Sequence, residues 1–330
     1  MFSKVIIWGY PLYTHNHSYI NYGWYKGFKH IGYNTFWFND NEYPTDFDYN
    51  DCLFISEGHV DNNIPIINTS IYFIYTAINP QKYISKVKRF IDIRFLVDNI
   101  IDSNYNYQLD RSKCILISNC TYYEKLYDNG GLTKYHSNPI SMNYECIYTC
   151  SATDLLPNEI LESNVQIKKH NKIYWSDNNQ LNTYEIKKFY KECIANNIEF
   201  DIIDLQTNKL LFEKIKHHTM ISYMAVDIRS GGNYDQIALG YNASCHKNIG
   251  FISDNIFRAI SYGCLGITNS KHTYELLEQT PIYNDDESQL FYDAKSQILN
   301  YELIKKQMDI VRVKHTYINR IEDLLKVLTI

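Results

Sequence analysis

Two sets of side chains in this sequence are of types that do chemistry. The first comprises His15 and His17, followed at a distance by Glu57, His59 and Asp61. An imidazole accepts a proton near neutral pH without much tuning, and any of the three later residues could replace it. The second set is cationic: Arg229, Lys247 and Arg258, the last preceded by Ser253-Asp254-Asn255. Ser, Asp and Asn are helix-capping residue types, and the N–H groups at a helix N-terminus attract anions, phosphate most commonly. One half of the chain thus carries candidate bases and the other candidate anion-binding groups.

The elements that must position these residues follow an α/β grammar. Lys4–Gly9 reads as a buried strand, and the polar loop Tyr10–Ser18 carries both histidines. A helix follows, with Ile20, Trp24, Phe28 and Ile31 at helical spacing and Gly32 as its stop. Strands are expected at Thr35–Phe38, Cys52–Ser56 and Ile71–Tyr75, so that Glu57, His59 and Asp61 lie at the same carboxyl edge as the histidines. A helix, basic on one side, is expected over Lys82–Asp98, and strands at Lys113–Asn119 and Tyr144–Thr149 flank the turn-rich stretch Tyr122–Asn143. Ser151–Asn171 is polar and holds the domain boundary.

The same order then restarts. Lys172–Trp175 is a strand with Ser176 and Asp177 in the loop at its end. The next helix has Ile186, Phe189, Tyr190, Cys193 and Ile194 on one face, and Asn182 with Glu185 resembles a capping box. A strand at Glu199–Leu205, a helix at Lys209–Lys216 and a strand at Thr219–Val226 come next, with Arg229 just beyond. Gly250–Asn269 reads as a loop, a short helix, a glycine stop at Gly263 and the strand Leu265–Thr268. A helix at His272–Gln279, a short strand Pro281–Tyr283, the acidic run Asn284–Glu287 and helices at Glu302–Val313 and His315–Leu328 close the chain. Two such openings in halves of nearly equal length predict two Rossmann-like domains facing a central cleft: residues 1–160, then 161–312, with 313–330 as a terminal helix.

Composition narrows the class. At 330 residues, 45% of them hydrophobic and 21% charged, the chain is globular and long enough for two cores. Gly9 is not followed by the further glycines of a dinucleotide fingerprint, and no P-loop pattern occurs. Eight cysteines lie scattered without a CxxC pair, which argues against a zinc site and for small apolar side chains in a reducing compartment. No signal-peptide pattern and no apolar run of the roughly 20 residues that span a bilayer are found. A soluble, cytoplasmic protein is expected. The net charge of −5 offers no general attraction to nucleic acid, so none is expected as partner. The 31 tyrosines, with abundant Ile and Asn, suit A+T-rich coding, as in a large DNA virus or an A+T-rich bacterium.

Phe257, Ala259, Ile260, Gly263 and Ile267 fall on a pattern that resembles the donor-binding segment of GT-B glycosyltransferases. His315-Thr316-Tyr317-Ile318-Asn319-Arg320 is similar to the segment that begins the last helix in several of those enzymes. The resemblance implies a hexosyl- or pentosyltransferase taking a nucleotide-sugar as co-substrate and a glycan or small hydroxyl compound as acceptor, with a final helix that crosses back onto the N-terminal domain. It implies that Ser176 and Asp177 face the donor phosphates or sugar, that Phe251 and Ile252 meet the nucleobase, and that Tyr262 and Asn269 serve sugar or ribose hydroxyls beside Asn255. Arg229, Lys247 and Arg258 would neutralise the departing diphosphate without a metal. A base, if configuration inverts, would come from His15, His17, Glu57, His59 or Asp61; a retaining enzyme needs none. The sequence departs from the pattern at Arg258, which stands where those families carry Glu. That departure keeps open a non-catalytic glycan- or nucleotide-binding protein, and a nucleotide-sugar epimerase of the same fold is a further alternative.

Overall fold

A computed structural model describes residues 2–15, 17–75, 82–83, 86–93, 116–118, 146–148, 151–166, 169–175, 183–202, 216–231, 247 and 252–329. The chain divides into two compact units, Met1–Thr149 with Arg320–Ile330, and Cys150–Asn319.

The first unit is built on a parallel sheet of β1 (Lys4–Trp8), β2 (Thr35–Phe38), β3 (Cys52–Glu57), β4 (Ile71–Tyr75), β5 (Arg89–Ile93), β6 (Leu116–Ser118) and β7 (Cys146–Tyr148), in the spatial order β2-β1-β3-β4-β5-β6-β7. The central strands are unbroken apolar runs because both faces are covered. Val5, Ile6, Ile7, Trp8, Leu53, Phe54 and Ile55 have no exposed surface. Helix α1 (Ser18–His30) covers one face through Tyr19, Trp24 and Phe28, with the Trp24 ring set edge-on to Phe73 at 5.7 Å. On the other face Phe54 stacks on Tyr72 at 4.5 Å among Tyr49, Ile64 and Tyr83.

The expected helix over 82–98 is overturned: residues 89–93 are strand β5, paired in parallel with β4. Arg-Phe-Ile-Asp-Ile is rich in β-branched and aromatic types, and an open edge on β4 outweighs the weak helical pattern of the lysines before it.

The order β2-β1-β3 carries a functional consequence. The chain leaves β1 to one side and returns on the other, so the crevice of this sheet opens at the carboxyl ends of β1 and β3, where ligands of doubly wound sheets bind. Gly9, the first residue past β1, has no room for a side chain: a Cβ there would lie 2.4 Å from Asn21 Nδ2. The loop is thereby held close against the start of α1.

The second unit contains β8 (Lys172–Trp175), α2 (Tyr184–Ala195), β9 (Glu199–Ile202), β10 (Met224–Asp227), α3 (Asp254–Ser261), β11 (Leu265–Thr268), α4 (Lys271–Leu276), β12 (Ile282–Tyr283), α5 (Glu287–Gln297) and α6 (Tyr301–Lys314). Helix α7 (Tyr317–Thr329) follows and runs on into the segment grouped with the first unit. β8 pairs with β9, and β10 with β11 and β12, all in parallel. Backbone bonds from His170 N–H to Ile221 O (2.8 Å) and from Tyr223 N–H to Lys172 O (3.1 Å) join the β8 edge to the chain entering β10. β11 is fastened from behind by Gln307 of α6. Its Oε1 accepts the Gly266 N–H at 2.7 Å, and its Nε2 donates to Gly266 O at 3.3 Å and Thr280 O at 2.9 Å.

Three local expectations change here. The strand read at Thr219–Val226 begins only at Met224, since residues 219–221 are helical. Glu185 does not close a capping box; its Oε1 accepts the Gly231 N–H at 3.0 Å, and the cap position falls to Thr183. Helix α5 was not anticipated, although Asp286 caps it through the Gln289 N–H and Leu290, Phe291 and Ala294 form its buried face. The expected loop 122–143 and helix residues 209–215 lie outside the described residues. Cys52, Cys193 and Cys264 are buried free thiols, and burial pushes Cys52 up to about 11 and Cys193 up to about 12, as befits packing residues.

Candidate functional site

At the crevice of the first unit His17 and Glu57 meet. β1 ends one loop before His17, and Glu57 is the last residue of the adjacent β3, so parallel pairing of the two strands brings together residues 40 positions apart. His17 Nδ1 and Glu57 Oε2 are 2.6 Å apart, with the Glu57 side chain 2% exposed and the imidazole 42% exposed. The buried carboxylate is an acceptor, so Nδ1 carries the proton and the ring lone pair lies on Nε2. The second carboxylate oxygen, Oε1, is buried with no hydrogen-bond partner among the described residues.

The histidine loop is tied down on itself. Ser18 Oγ accepts the His15 N–H at 3.1 Å and donates to Pro11 O at 2.7 Å. His15 Nδ1 accepts the His17 N–H at 3.1 Å, and its ring stacks on Tyr10 at 3.9 Å and lies edge-on to His17 at 4.8 Å. Burial and the adjacent His17 lower the His15 pKa, while burial and the nearby Glu57 raise that of Tyr10.

The other two candidates of this half are placed differently. His59 is exposed and makes no hydrogen bond among the described residues. Asp61 is buried and accepts the Tyr83 hydroxyl, while its backbone carbonyl accepts from Lys82. Burial raises the Asp61 carboxyl against the opposing pull of Tyr83 and Lys82. These contacts anchor a loop rather than present a base.

In the second unit a buried polar network lies past the carboxyl ends of β10 and β11. Arg229 Nε donates to Asp227 Oδ1 at 2.6 Å, and the other oxygen of Asp227 accepts from the Thr268 (3.0 Å) and Thr273 (2.7 Å) hydroxyls. Asn269 Oδ1 accepts the Arg229 N–H at 2.8 Å; its Nδ2 donates to Arg229 O at 3.0 Å and to Glu287 Oε1 at 2.8 Å. The loop that opens at Arg229 is thus held on both its backbone polar groups by one asparagine. Asn269 is fully buried and acts here as a clamp on that loop.

The remaining cations are placed around it. Lys247 donates its N–H to Ser230 O at 3.0 Å, and its ammonium pairs with Asp285 at 3.1 Å. Burial alone would raise Asp285, but the bonds from Lys247 and Tyr283 hold its carboxyl below the ordinary value. Helix α3 starts as anticipated, with Ser253 Oγ accepting the Asn255 N–H. One turn on, Arg258 is 6% exposed and its Nη2 donates to Asn255 Oδ1 at 2.5 Å. Ile252 is fully buried, and Tyr262, 3% exposed, reaches Asp154 at 3.4 Å. Ser176, Asp177 and Phe251 lie outside the described residues.

The structure therefore brings His15, His17 and Glu57 together in one unit, and Arg229, Asn269 and the backbone of Lys247 in the other. It also recruits residues the sequence reading passed over: Tyr10, Asp227, Thr268, Thr273 and Glu287. The spacing Asp227-x-Arg229 at a strand end was a visible signal; the distant Glu287 was not. Among the described residues no three His, Cys, Asp or Glu side chains gather to hold a metal ion, and no helix is long and apolar enough to cross a membrane.

No family model matches the sequence, and no curated protein does. Solved structures match over the whole length. One is an alpha-glucosyltransferase in complex with UDP, at 8% identity over 99% of this chain and 100% of that one, with a TM-score of 0.58. Another is alpha-glucosyltransferase with UDP and a 13-mer DNA containing an HMU base, at 9% identity over 100% of both chains, TM-score 0.57. T4 phage BGT with its UDP-glucose substrate follows at 11% identity over 94% of this chain and 96% of that one, TM-score 0.49. What the likeness to the two alpha-glucosyltransferase structures shows is the fold: α/β with parallel sheets, matching the GT-B fold.

Proposed function

We propose that this protein is a glycosyltransferase that moves a sugar from a nucleoside diphosphate donor, UDP-glucose first among the candidates, to an acceptor hydroxyl. The observation that carries the reading is the likeness over 99% of the chain, at TM-score 0.58, to an alpha-glucosyltransferase holding UDP. The sequence supports it independently through the Phe257–Ile267 segment, whose helix start and strand form as anticipated.

In this reading the second unit takes the donor. The bond between the anomeric carbon and the diphosphate breaks, and the departing UDP gains negative charge that preorganised cations and N–H groups stabilise. Lys247, Arg258 and the start of α3 supply those groups, and Asp227 with Asn269 fixes the Arg229 loop. No metal is required by this chemistry, so transfer in the presence of EDTA is expected; its abolition, with rescue by a divalent cation, would remove that part of the proposal. The first unit takes the acceptor, whose hydroxyl loses a proton as it bonds to the sugar.

The acceptor has two readings. A glycan or small hydroxyl compound follows from the sequence. A hydroxylated base in DNA is favoured by the 13-mer DNA with an HMU base held by the second structure described above. The net charge of −5 does not bar DNA, because phosphate contacts depend on local charge rather than on the sum.

A thermal-shift panel of UDP-, GDP-, dTDP- and CMP-sugars tests the donor assignment, since a ligand that binds the folded state raises its stability by mass action. UDP-glucose should give the largest shift. No shift with any member of the panel would remove the donor site. Incubation with donor alone separates an epimerase, which would convert it unaided, and binding without turnover on any acceptor identifies a non-catalytic protein.

A further inference from the structure

We infer that Asp285 is an autoinhibitory stand-in for the donor's diphosphate: it holds the Lys247 ammonium, yields it when the nucleotide binds, and retakes it when UDP leaves. The inference rests on the glycosyltransferase reading and names how the donor half of that site is regulated.

The placement follows from strand order. β10, β11 and β12 pair in parallel in that order, so the loops after β10 and β12 flank the carboxyl end of β11. Ligands of open α/β sheets bind outside the carboxyl ends of the strands. Lys247 spans the two loops. Its N–H is fixed at 3.0 Å to the carbonyl of Ser230, in the loop after β10, and its ammonium meets Asp285 Oδ1, in the loop after β12, at 3.1 Å.

Exposure separates this pair from its neighbours. The Arg229 and Asp227 side chains are 3% and 0% exposed, and a pair that deep cannot be parted without stranding a buried charge. Asp286, which pairs with Lys188, also caps α5 through the Gln289 N–H. Glu287 is buried against Asn269. Asp285 differs from all of these, because its side chain is 71% exposed and water solvates the carboxylate once the ammonium departs. The Tyr283 hydroxyl, pushed up to about 12 by burial and by Asp285, stays protonated and remains as a partner for that carboxylate. Lys247 is rooted by its backbone, and its ammonium rides on a flexible four-carbon stem that can turn from one acceptor to another. Within the acidic run Asn284–Glu287, then, Asp286 and Glu287 build the site and Asp285 exchanges.

The exchange is a matter of charge and breaks no covalent bond. A carboxylate carries one negative charge and the diphosphate of UDP more than one, so an ammonium within reach of both goes to the diphosphate. After transfer, the return of Lys247 to Asp285 weakens the hold on UDP and clears the site for the next donor.

The test titrates UDP into the full chain by calorimetry at low ionic strength, where an exposed ion pair is least screened. Asp285→Asn should bind UDP more tightly by roughly 1.5- to 5-fold, the worth of an exposed pair. Lys247→Ala should bind it more weakly by roughly tenfold or more. In the Lys247→Ala background, adding Asp285→Asn should leave the Kd where it was, because the gain passes through the ammonium. Unchanged or weaker UDP binding in Asp285→Asn would overturn the inference, as would unchanged binding in Lys247→Ala. An equal gain in both backgrounds would overturn it too, since it marks simple repulsion between carboxylate and diphosphate. Each of these results leaves the glycosyltransferase reading intact. Absence of UDP binding by the wild-type protein would instead remove the donor site, and this inference with it.

Discussion

Asp227 and Arg229 form a buried ion pair, Oδ1 to Nε 2.6 Å, with side chains 0% and 3% exposed. The two residues are separated by one position and bonded side by side, so the chain leaves β10 in a fixed direction. Thr268 and Thr273 satisfy the other carboxylate oxygen, which ties the same point to β11 and α4.

Asp227→Ala leaves the guanidinium buried without its carboxylate, a class of change that costs about 3–5 kcal/mol. Urea denaturation should show that loss. Asp227→Asn keeps an acceptor for Arg229 but turns an amide donor toward the Thr268 and Thr273 hydroxyls, which can rotate to accept, and should lose less.

Gln307→Met tests how β11 is held. It is close to volume-conserving, yet it removes the partners of the Gly266 N–H and of two carbonyls, Gly266 O and Thr280 O. A buried group left unsatisfied costs about 1–3 kcal/mol, and the melting temperature should fall accordingly.

Gly263 has φ +82, and a Cβ there would lie 2.8 Å from the backbone of Asn164. Gly263→Ala meets both the left-handed strain and a backbone that cannot rotate away. A loss above about 1 kcal/mol is expected, against little change for Gly32→Ala beyond its own φ, since nothing lies within 4 Å of that site.

Asp61 gives a pH prediction. Its folded carboxyl is raised above the ordinary 3.8, first by burial. For an acid raised on folding, the favourable contribution is fully present below the unfolded value and is lost as pH rises through the folded one. Asp61→Asn keeps an acceptor for the Tyr83 hydroxyl and cannot ionise. Relative to wild type it should melt higher at pH 7, with the difference shrinking as pH falls through the raised value toward 3.8. An equal or lower melting point at pH 7 would contradict the burial argument.

Much of this fold was legible because single stretches declared it. Val5–Trp8 and Cys52–Ile55 are apolar on both faces, as central parallel strands must be, and Ser253 and Gly263 punctuate α3 by their residue types alone. Residues 89–93 were misread because their lysine-bearing approach carries helical spacing, while the open edge of β4 that claims them is not local information. Helix α5 is hard to see in the sequence because the apolar part of its buried face is only Leu290, Phe291 and Ala294 within a polar run. In the site, the residue types at 15, 17 and 57 suit proton transfer, but that Glu57 stands beside His17 follows from the pairing of β1 with β3, which is not local information. Arg258 and Asn255 were each nominated for donor contacts, and the bond between them follows from helical spacing. The role of Asn269 in clamping the Arg229 loop required knowing that β10 and β11 are neighbours.

Transfer of a sugar from a nucleotide donor is read out by following radiolabel from UDP-[14C]glucose. The label should appear on a hydroxyl acceptor, with DNA containing HMU and a set of oligosaccharides tried side by side, and one UDP should be released for each glucose transferred. Recovery of unchanged donor with every acceptor, or its conversion to another nucleotide-sugar without one, would contradict the account.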